Sequence, residues 1–398
     1  MGIARGTNIV TDSLVYGHDS GYNVADNNTA TRFYPGEPTT NITPLTDFIT
    51  TSNWTGGGWQ GSIAVSSDYS NTLELTAYNG WRTFAINHGI TSGGTLSVSF
   101  QYRLKSFQTM TVFGIVLNGR NLGNYHNDLG QITNSNLRDS QSGWKTFNGS
   151  FTANNNTYGG ELCIGLRGSD NGGNTEVMYI RELQVELKPH QTPYASSTRS
   201  DTASLIDLTR TTNIDVGDAS FDSTGQPDLD GTGDFIKASS THSITSDITL
   251  EGVFNEDASS SPHTTVICTD TGHQYGVKLM AFKNTSRYGL WLGFGSSSHV
   301  AMVDGSFSNN TTYHLAASWD QSSGVVKIYL NGVLKSTQST GQTSAVSLNE
   351  AKVVVGADYH SLSYGLNGKV YVGKVYNKVL TDAEVTQNYR AYKNRFNL

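Results

Sequence analysis

The dipeptide Asn331-Gly332, set between two apolar runs of alternating pattern, constrains this chain more than any other feature. Asn-Gly accepts positive φ at both central positions of a two-residue hairpin turn, and that turn twists in the same sense as the strands it joins. Ahead of it, Leu315, Ala317 and Trp319 alternate with small or polar residues, the period of a strand with one face on a core. Residues 320–324 are turn formers and residues 326–330 are β-branched and aromatic. Three strands joined by two tight turns are predicted from residue 311 onward.

The rest of the chain follows the same grammar. Glycine makes up 43 of 398 residues and charged residues only 15%, a composition that favours many short strands and turns over helices. The length suffices for two domains, each burying its own core. A formal net charge of −7 gives no basic footprint, which excludes nucleic acid as an expected partner. No run of about 18 apolar residues occurs, so no membrane insertion is expected. The N-terminus lacks the apolar core of a secretory signal. Cys163 and Cys268 fall in separate strand-like apolar runs and are expected as buried free thiols, too few for a disulfide scaffold.

Four segments are predicted. Residues 1–40 form an extended N-terminal arm with one short strand, too little to fold alone, which packs on its own domains or docks on another protein. Residues 41–188 hold strands such as Thr72-Leu-Glu-Leu-Thr-Ala-Tyr, Leu96-Ser-Val-Ser-Phe-Gln-Tyr and Leu162-Cys-Ile-Gly-Leu, separated by Gly, Asn and Ser turns. Residues 189–202, with two prolines flanking a short run and a Ser/Thr tract after it, read as a linker. Residues 203–398 form a second all-β domain. It ends in the best helix signal in the chain: Thr381-Asp-Ala-Glu384 is a capping box, and Val385, Tyr389 and Tyr392 recur on one face. That helix is expected on the outside of the sandwich. Arg390, Lys393 and Arg395 near its C-terminus suit the helix dipole.

Three resemblances add to this. Tyr313-His-Leu-x-x-Ser-Trp-Asp, the hairpin Gly324-x-Val-x-Ile-Tyr-Leu-Asn-Gly-x-Leu and the segment Gly368-x-Val-Tyr-Val-Gly-Lys-Val-Tyr resemble the laminin-G-like, concanavalin A-like jelly roll, over roughly the last half of the chain. Gly143-Trp-Lys-Thr-Phe-Asn-Gly and the strand from Val177 resemble a galactose-binding-like jelly roll, the fold of many carbohydrate-binding modules. Ile9-Val-Thr-Asp-x-Leu-Val and the run from Phe33 to Asn41 resemble leader segments of structural proteins of tailed phages. The fold class expected is all-β: two tandem antiparallel jelly-roll sandwiches with an extended N-terminal arm and a short C-terminal helix.

Sugar binders place the apolar face of a pyranose on Trp or Tyr and take the hydroxyls with polar side chains. Trp54, Trp59, Tyr78, Trp81 and Arg82 are the candidates, with core burial the preferred reading for Trp81 and Trp144 and an even choice for Trp54 and Trp59 in their glycine-rich loop. Asp218, Asp222, Asp228 and Asp230 lie in an acid-rich stretch from which a calcium site could draw oxygens. The plainer account is polar turns keeping a loop solvated. His314 is expected as a satisfied structural histidine.

Catalysis is not expected. A concanavalin A-like glycosidase needs two carboxylates at a set distance, as in Glu-x-Asp-x-x-Glu, and the glutamates here are scattered. No His-Glu-x-x-His, Gly-x-Ser-x-Gly or phosphate-binding loop occurs. The leading expectation is a non-enzymatic phage virion surface protein, a capsid decoration or tail component. It would assemble in the host cytoplasm, attach to other virion proteins through residues 1–40, form a homo-oligomer and bind host-surface glycans for adsorption. The alternatives are a purely architectural cement protein without ligand, and a cell-surface adhesin or ancillary module of a polysaccharide-degrading enzyme.

Overall fold

The structure is a computed structural model describing residues 9–20, 37–58, 61–78, 81–89, 94–106, 115–118, 130–153, 161–167, 175–217, 219–222, 225–244, 247–257, 262–270, 274–358 and 364–398. The chain divides into two compact units. The first spans residues 39–199; the second comprises 200–398 together with the N-terminal segment up to residue 38. The architecture is mostly β, in antiparallel sheets with a C-terminal helix, as the alternation predicts.

The first unit carries two five-stranded sheets. One runs in the order Lys145–Ala153, Gly94–Ser106, Thr175–Glu186, Thr72–Tyr78, Gly61–Val65. The other runs Trp54–Gly58, Trp81–Asn87, Glu161–Arg167, Ile115–Asn118, Gly130–Ile132. The period of two is plain in the long central strands. Leu96, Val98, Phe100, Tyr102 and Leu104 on one strand, and Met178 and Ile180 on its neighbour, point into a core shared with Phe84, Ile86, Leu162 and Ile164 of the other sheet. Residues 189–199, expected as a linker, belong to this unit. Thr198 pairs with Thr40, and Thr192 bonds to both Gln184 and Glu186. The two prolines end the last long strand without freeing the chain, because buried side chains of that strand supply the partners the prolines cannot.

The second unit holds two eight-stranded sheets. One includes Asn367–Tyr376, Ile248–Glu256, Thr311–Asp320, Val325–Leu330 and Val333–Ser339 side by side. The three strands from residue 311 occur as predicted. Asn331 and Gly332 have φ of 50° and 73°, and Leu330 faces Val333 across the turn. The other sheet brings Val277–Phe282, Arg287–Gly293 and Ser298–Asp304 together, and the core between the sheets is built on Trp319, Leu315, Ile328, Phe254, Leu279 and Leu290.

Of the two alternatives for the N-terminal segment, Leu14–Asp19 takes the first: it pairs with Asn367–Tyr376 as an integral strand of the second unit. Its residues are spent on this chain because an antiparallel partner satisfies its backbone N–H and C=O groups. The C-terminal helix, Asp382–Phe396, starts at the expected capping box, with Thr381 and Glu384 each accepting from the other's backbone N–H. It lies on the outer face of the sheet, over a layer whose charge the sequence does not announce. Glu251, His314, Lys374 and Asn388 are all fully buried there. His314 Nε2 meets Glu251 Oε1 at 2.6 Å, Asn388 donates to Glu251 Oε2 at 2.8 Å, and Lys374 donates to Tyr392 Oη. His314 is thus buried with a partner, as expected. Burial pulls the Lys374 ammonium down to about 8, against the carboxylates of Glu251 and Asp19.

Candidate functional site

The outer face of the first unit's sheet that contains Gly94–Ser106 is divided in two. A bulge in Thr175–Glu186 shifts the register between Arg181 and Gln184 and leaves Glu182 at a φ of 53°, an uncommon conformation for a residue with a Cβ. Beyond the bulge, Gln184 and Glu186 are buried beneath residues 191–199 and hydrogen-bonded to them. Before it, the same face is open and carries aromatic and charged side chains.

Register builds this open half. Tyr179 faces Glu74 on one neighbouring strand and Arg103 on the other; Arg181 faces Thr72 and Gln101. Tyr69, from the turn after Gly61–Val65, leans edge-on to Tyr179 at 5.1 Å and to Trp144 at 5.4 Å. Trp144 enters from the opposite edge, just before Lys145–Ala153, and its ring lies 4.0 Å from the Arg181 guanidinium. That contact is a cation–π pair, which fixes both partners.

Polar groups are locked as firmly as the rings. Arg181 donates Nε–H and Nη2–H to Gln101 Oε1 at 2.9 and 2.7 Å, and Gln101 Nε2 donates to Glu182 at 2.7 Å. Arg103 donates to Tyr69 Oη at 2.6 Å. Lys105 bridges Glu74 at 2.8 Å and Asp68 at 3.0 Å. Tyr179 donates its hydroxyl to Asp68, and this bond, followed by the one from Lys105, holds the Asp68 carboxyl below the usual carboxylate range. Burial, then the bond to Asp68, pushes the Tyr179 phenol up. Arg103, Lys105 and Arg181 balance Asp68, Glu74 and Glu182, so the face is polar with no net charge. Trp144 and Tyr69 remain half-buried, with part of each ring reaching solvent.

The residues singled out from sequence are placed differently. Trp54 is corrected to the core: it is buried, packs edge-on to Phe48 at 6.0 Å and donates Nε1–H to the Phe48 carbonyl at 2.8 Å. Its glycine-rich context is a strand, Trp54–Gly58, not an exposed loop. Arg82 lies on the Trp54 sheet, half-buried, with its guanidinium 5.8 Å from the Phe84 ring. Gly56 leaves it room, since a Cβ there would come within 2.1 Å of Arg82 Nη2. Trp54 and Arg82 are therefore on the sheet opposite the Trp144 cluster. Trp59 and the side chains of Tyr78 and Trp81 lie outside the described residues. Trp144, expected in the core, is instead half-buried on the outer face, because it stands just ahead of its strand and packs on Arg181 and Tyr69.

The aspartates of the second unit do not converge. Asp222 pairs with Lys369 at 2.7 Å and accepts from the Gln226 N–H. Asp230 accepts from the Thr232 N–H at 2.6 Å within its own turn. Burial raises the Asp228 carboxyl, which opposes rather than favours an anionic ligand role without a cation close by. Asp218 lies outside the described residues. Among the described residues no three His, Cys, Asp or Glu side chains are placed to hold a metal ion. Asp222 and Asp230 serve a lysine and local turns, in line with the plainer account of this stretch.

The second unit has the jelly-roll, concanavalin A-like fold. Residues 230–386 match the family model described as the concanavalin A-like lectin/glucanases superfamily. Distant structural similarity extends to the botulinum neurotoxin serotype D binding domain, with 18% identity, 47% of this chain and 48% of that chain covered, and a TM-score of 0.36. The match spans about half the length of that chain. Domain 4 of AbnA, an extracellular arabinanase from Geobacillus stearothermophilus, solved with arabinotriose, gives 19%, 46%, 91% and 0.38 for the same measures. The Ruminococcus gnavus IT-sialidase module CBM40, solved with sialyllactose, gives 17%, 36%, 82% and 0.31. No curated protein matches the chain.

Proposed function

We propose that this chain is a non-catalytic glycan-binding protein of a tailed-phage particle, and that its first unit takes a neutral saccharide on the sheet face around Trp144. The observation that carries the binding reading is the Trp144 ring, held by Arg181 and Tyr69 at the edge of an open, charge-balanced sheet face. A pyranose needs an apolar ring to lie on and fixed donors and acceptors around it. Tyr69 and Trp144 supply the first, and Gln101, Glu182, Arg103 and Asp68 the second. Their mutual bonds hold them before a ligand arrives, which lowers the ordering cost of binding. Single sites of this kind are weak, and many copies on one particle supply avidity.

A glycan array probed with the full chain and with W144A tests this. The expected result is binding by the wild type and a loss of at least tenfold in W144A, with R181M reduced in parallel. Equal binding by wild type and W144A overturns the site; a blank array overturns the function.

The virion part of the proposal draws on the resemblance of the N-terminal motifs to phage structural proteins. With Leu14–Asp19 committed to the second unit's sheet, attachment falls to the flanking residues, including the Phe33-Tyr34 run. Labelled full chain should decorate purified particles and a Phe33→Ala, Tyr34→Ala variant should not. A full chain that ignores particles sinks this part while leaving the glycan reading intact. The competing reading, an architectural protein without ligand, is favoured by the burial of Trp54 and predicts a blank array with full particle binding.

A further inference from the structure

The second unit has a cleft of about 230 Å3 lined by Glu256, Phe282, Lys283, Arg287, Phe307 and Asn309, among others. We propose that it is a second saccharide site, independent of the Trp144 face, and that it takes a single sugar unit bearing a carboxylate, as in a uronic or sialic acid.

Two loops form its walls. One follows Val277–Phe282 and leads into Arg287–Gly293; the other follows Ser298–Asp304. They are tied together by the Gly305 N–H, which donates to the Ser286 carbonyl at 2.8 Å. Gly305 has to be glycine: its φ is 152°, and a Cβ there would meet the Tyr288 ring at 2.8 Å. Phe307 forms part of the lining and is itself held by Phe254, Tyr288 and Tyr313, with ring centroids 5.3, 5.3 and 4.7 Å away. It is half-buried and offers an apolar surface to the cleft.

Free donors select the ligand. Glu256 is almost fully buried and holds Lys283 Nζ at 2.5 Å while accepting from Thr264 at 2.7 Å, so this carboxylate and this ammonium neutralise each other inside the wall. Arg287 is exposed and gives its Nε–H to Asp304 at 2.8 Å, which leaves the terminal N–H groups of its guanidinium for a ligand. Asp304 points to solvent, with 87% of its side chain exposed, and is not part of the lining. Both cations of the cleft are thus paired, Lys283 inward to Glu256 and Arg287 outward to Asp304, and what faces the cleft is the set of terminal N–H donors on Arg287. A guanidinium fork matches a carboxylate bidentately, and Asn309 and the lysine complete a donor set suited to an acidic sugar. The volume lies below the roughly 300–1,000 Å3 of pockets for drug-sized ligands, so the cleft itself holds one sugar ring.

The test is saturation-transfer NMR and calorimetry on the full chain with methyl glucuronide, methyl galacturonide, methyl N-acetylneuraminide and, as neutral control, methyl glucoside. At least one acidic glycoside is expected to bind at least tenfold more tightly than methyl glucoside, weaken as salt rises, and lose at least tenfold in R287A and R287E. W144A should bind it as the wild type does, which separates this site from the sheet face. Arg287 is exposed, so both variants should keep the wild-type melting temperature. Binding unchanged in R287A and R287E, equal binding of methyl glucoside, or no binding of any acidic glycoside overturns the proposal.

Discussion

Lys374 is buried under the C-terminal helix with its ammonium pulled from 10.5 to about 8, and this sets a measurable pH dependence of stability. A lysine whose folded pKa lies below its unfolded value holds its proton less tightly when folded. Below pH 8 both states keep the proton and the folded state bears the whole desolvation cost. From about pH 8 to 10.5 the unfolded state binds more protons, so stability rises with pH. The full drop corresponds to about 3 kcal/mol, at 1.36 kcal/mol per unit. Tyr16 and Tyr376 are buried with phenols pushed up, so they lose stability for the fold above pH 10 and limit the readable window. Between pH 7.5 and 9.5 Lys374 should contribute a gain of about 2 kcal/mol, offset in part near pH 9 and above by the Cys268 thiol, which burial pushes up to about 12. K374M removes the titrating group while Glu251 keeps His314 and Asn388. Urea unfolding of wild type and K374M at pH 7.5, 8.5 and 9.5 should show the wild type gaining stability relative to K374M as pH rises, the Cys268 contribution being common to both. Two parallel curves would refute the reasoning.

Three further outcomes are expected. D270A should cost the second unit about 3 kcal/mol or more, because Asp270 Oδ2 alone accepts from the N–H groups of Asn349, Glu350 and Ala351 at 2.6, 3.1 and 3.0 Å, and each orphaned donor costs about 1–3 kcal/mol; thermal melts read this as a fall of several degrees. W54A should destabilise the first unit by about 3–5 kcal/mol as a core truncation, seen in urea unfolding, and a melting temperature unmoved from wild type would return Trp54 to the surface. T381A should fray the helix by about 1 kcal/mol, seen as faster hydrogen exchange at residues 384–386 with the distal sheet unchanged.

Much of the second unit was legible because its signals are local. A two-residue turn at Asn331-Gly332, a period of two through Leu315 and Trp319, and a capping box at Thr381 each need only neighbours in sequence to act. The Trp144 face was half legible: Tyr179 and Arg181 alternate with Met178 and Ile180, and Gln101, Arg103 and Lys105 alternate with Phe100, Tyr102 and Leu104, so two polar faces could be read from sequence. That these faces lie side by side is a fact of strand order, since Arg103 and Tyr179 are 76 positions apart in sequence and neighbours only across the sheet. Trp54 misled for the opposite reason. Its run of glycines reads as a loop, yet in the fold those glycines make space for Arg82, which no local pattern discloses.

The sequence by itself determined the all-β class, the position of the best turns and the capped C-terminal helix, all of which follow from backbone geometry over a few residues, while the concanavalin A-like character of the last half was carried by a resemblance of motifs. Tertiary structure alone decided that the N-terminal strand closes onto Asn367–Tyr376, that residues 189–199 cover half of one sheet face and leave the other half open, and that Glu251, His314 and Lys374 share a buried layer under the helix. The physical reason is the same in each case: a polar side chain on the outer face of a strand is indifferent to its sequence neighbours, and only what the rest of the chain lays over it decides whether it is solvated, buried with a partner, or left to meet a ligand.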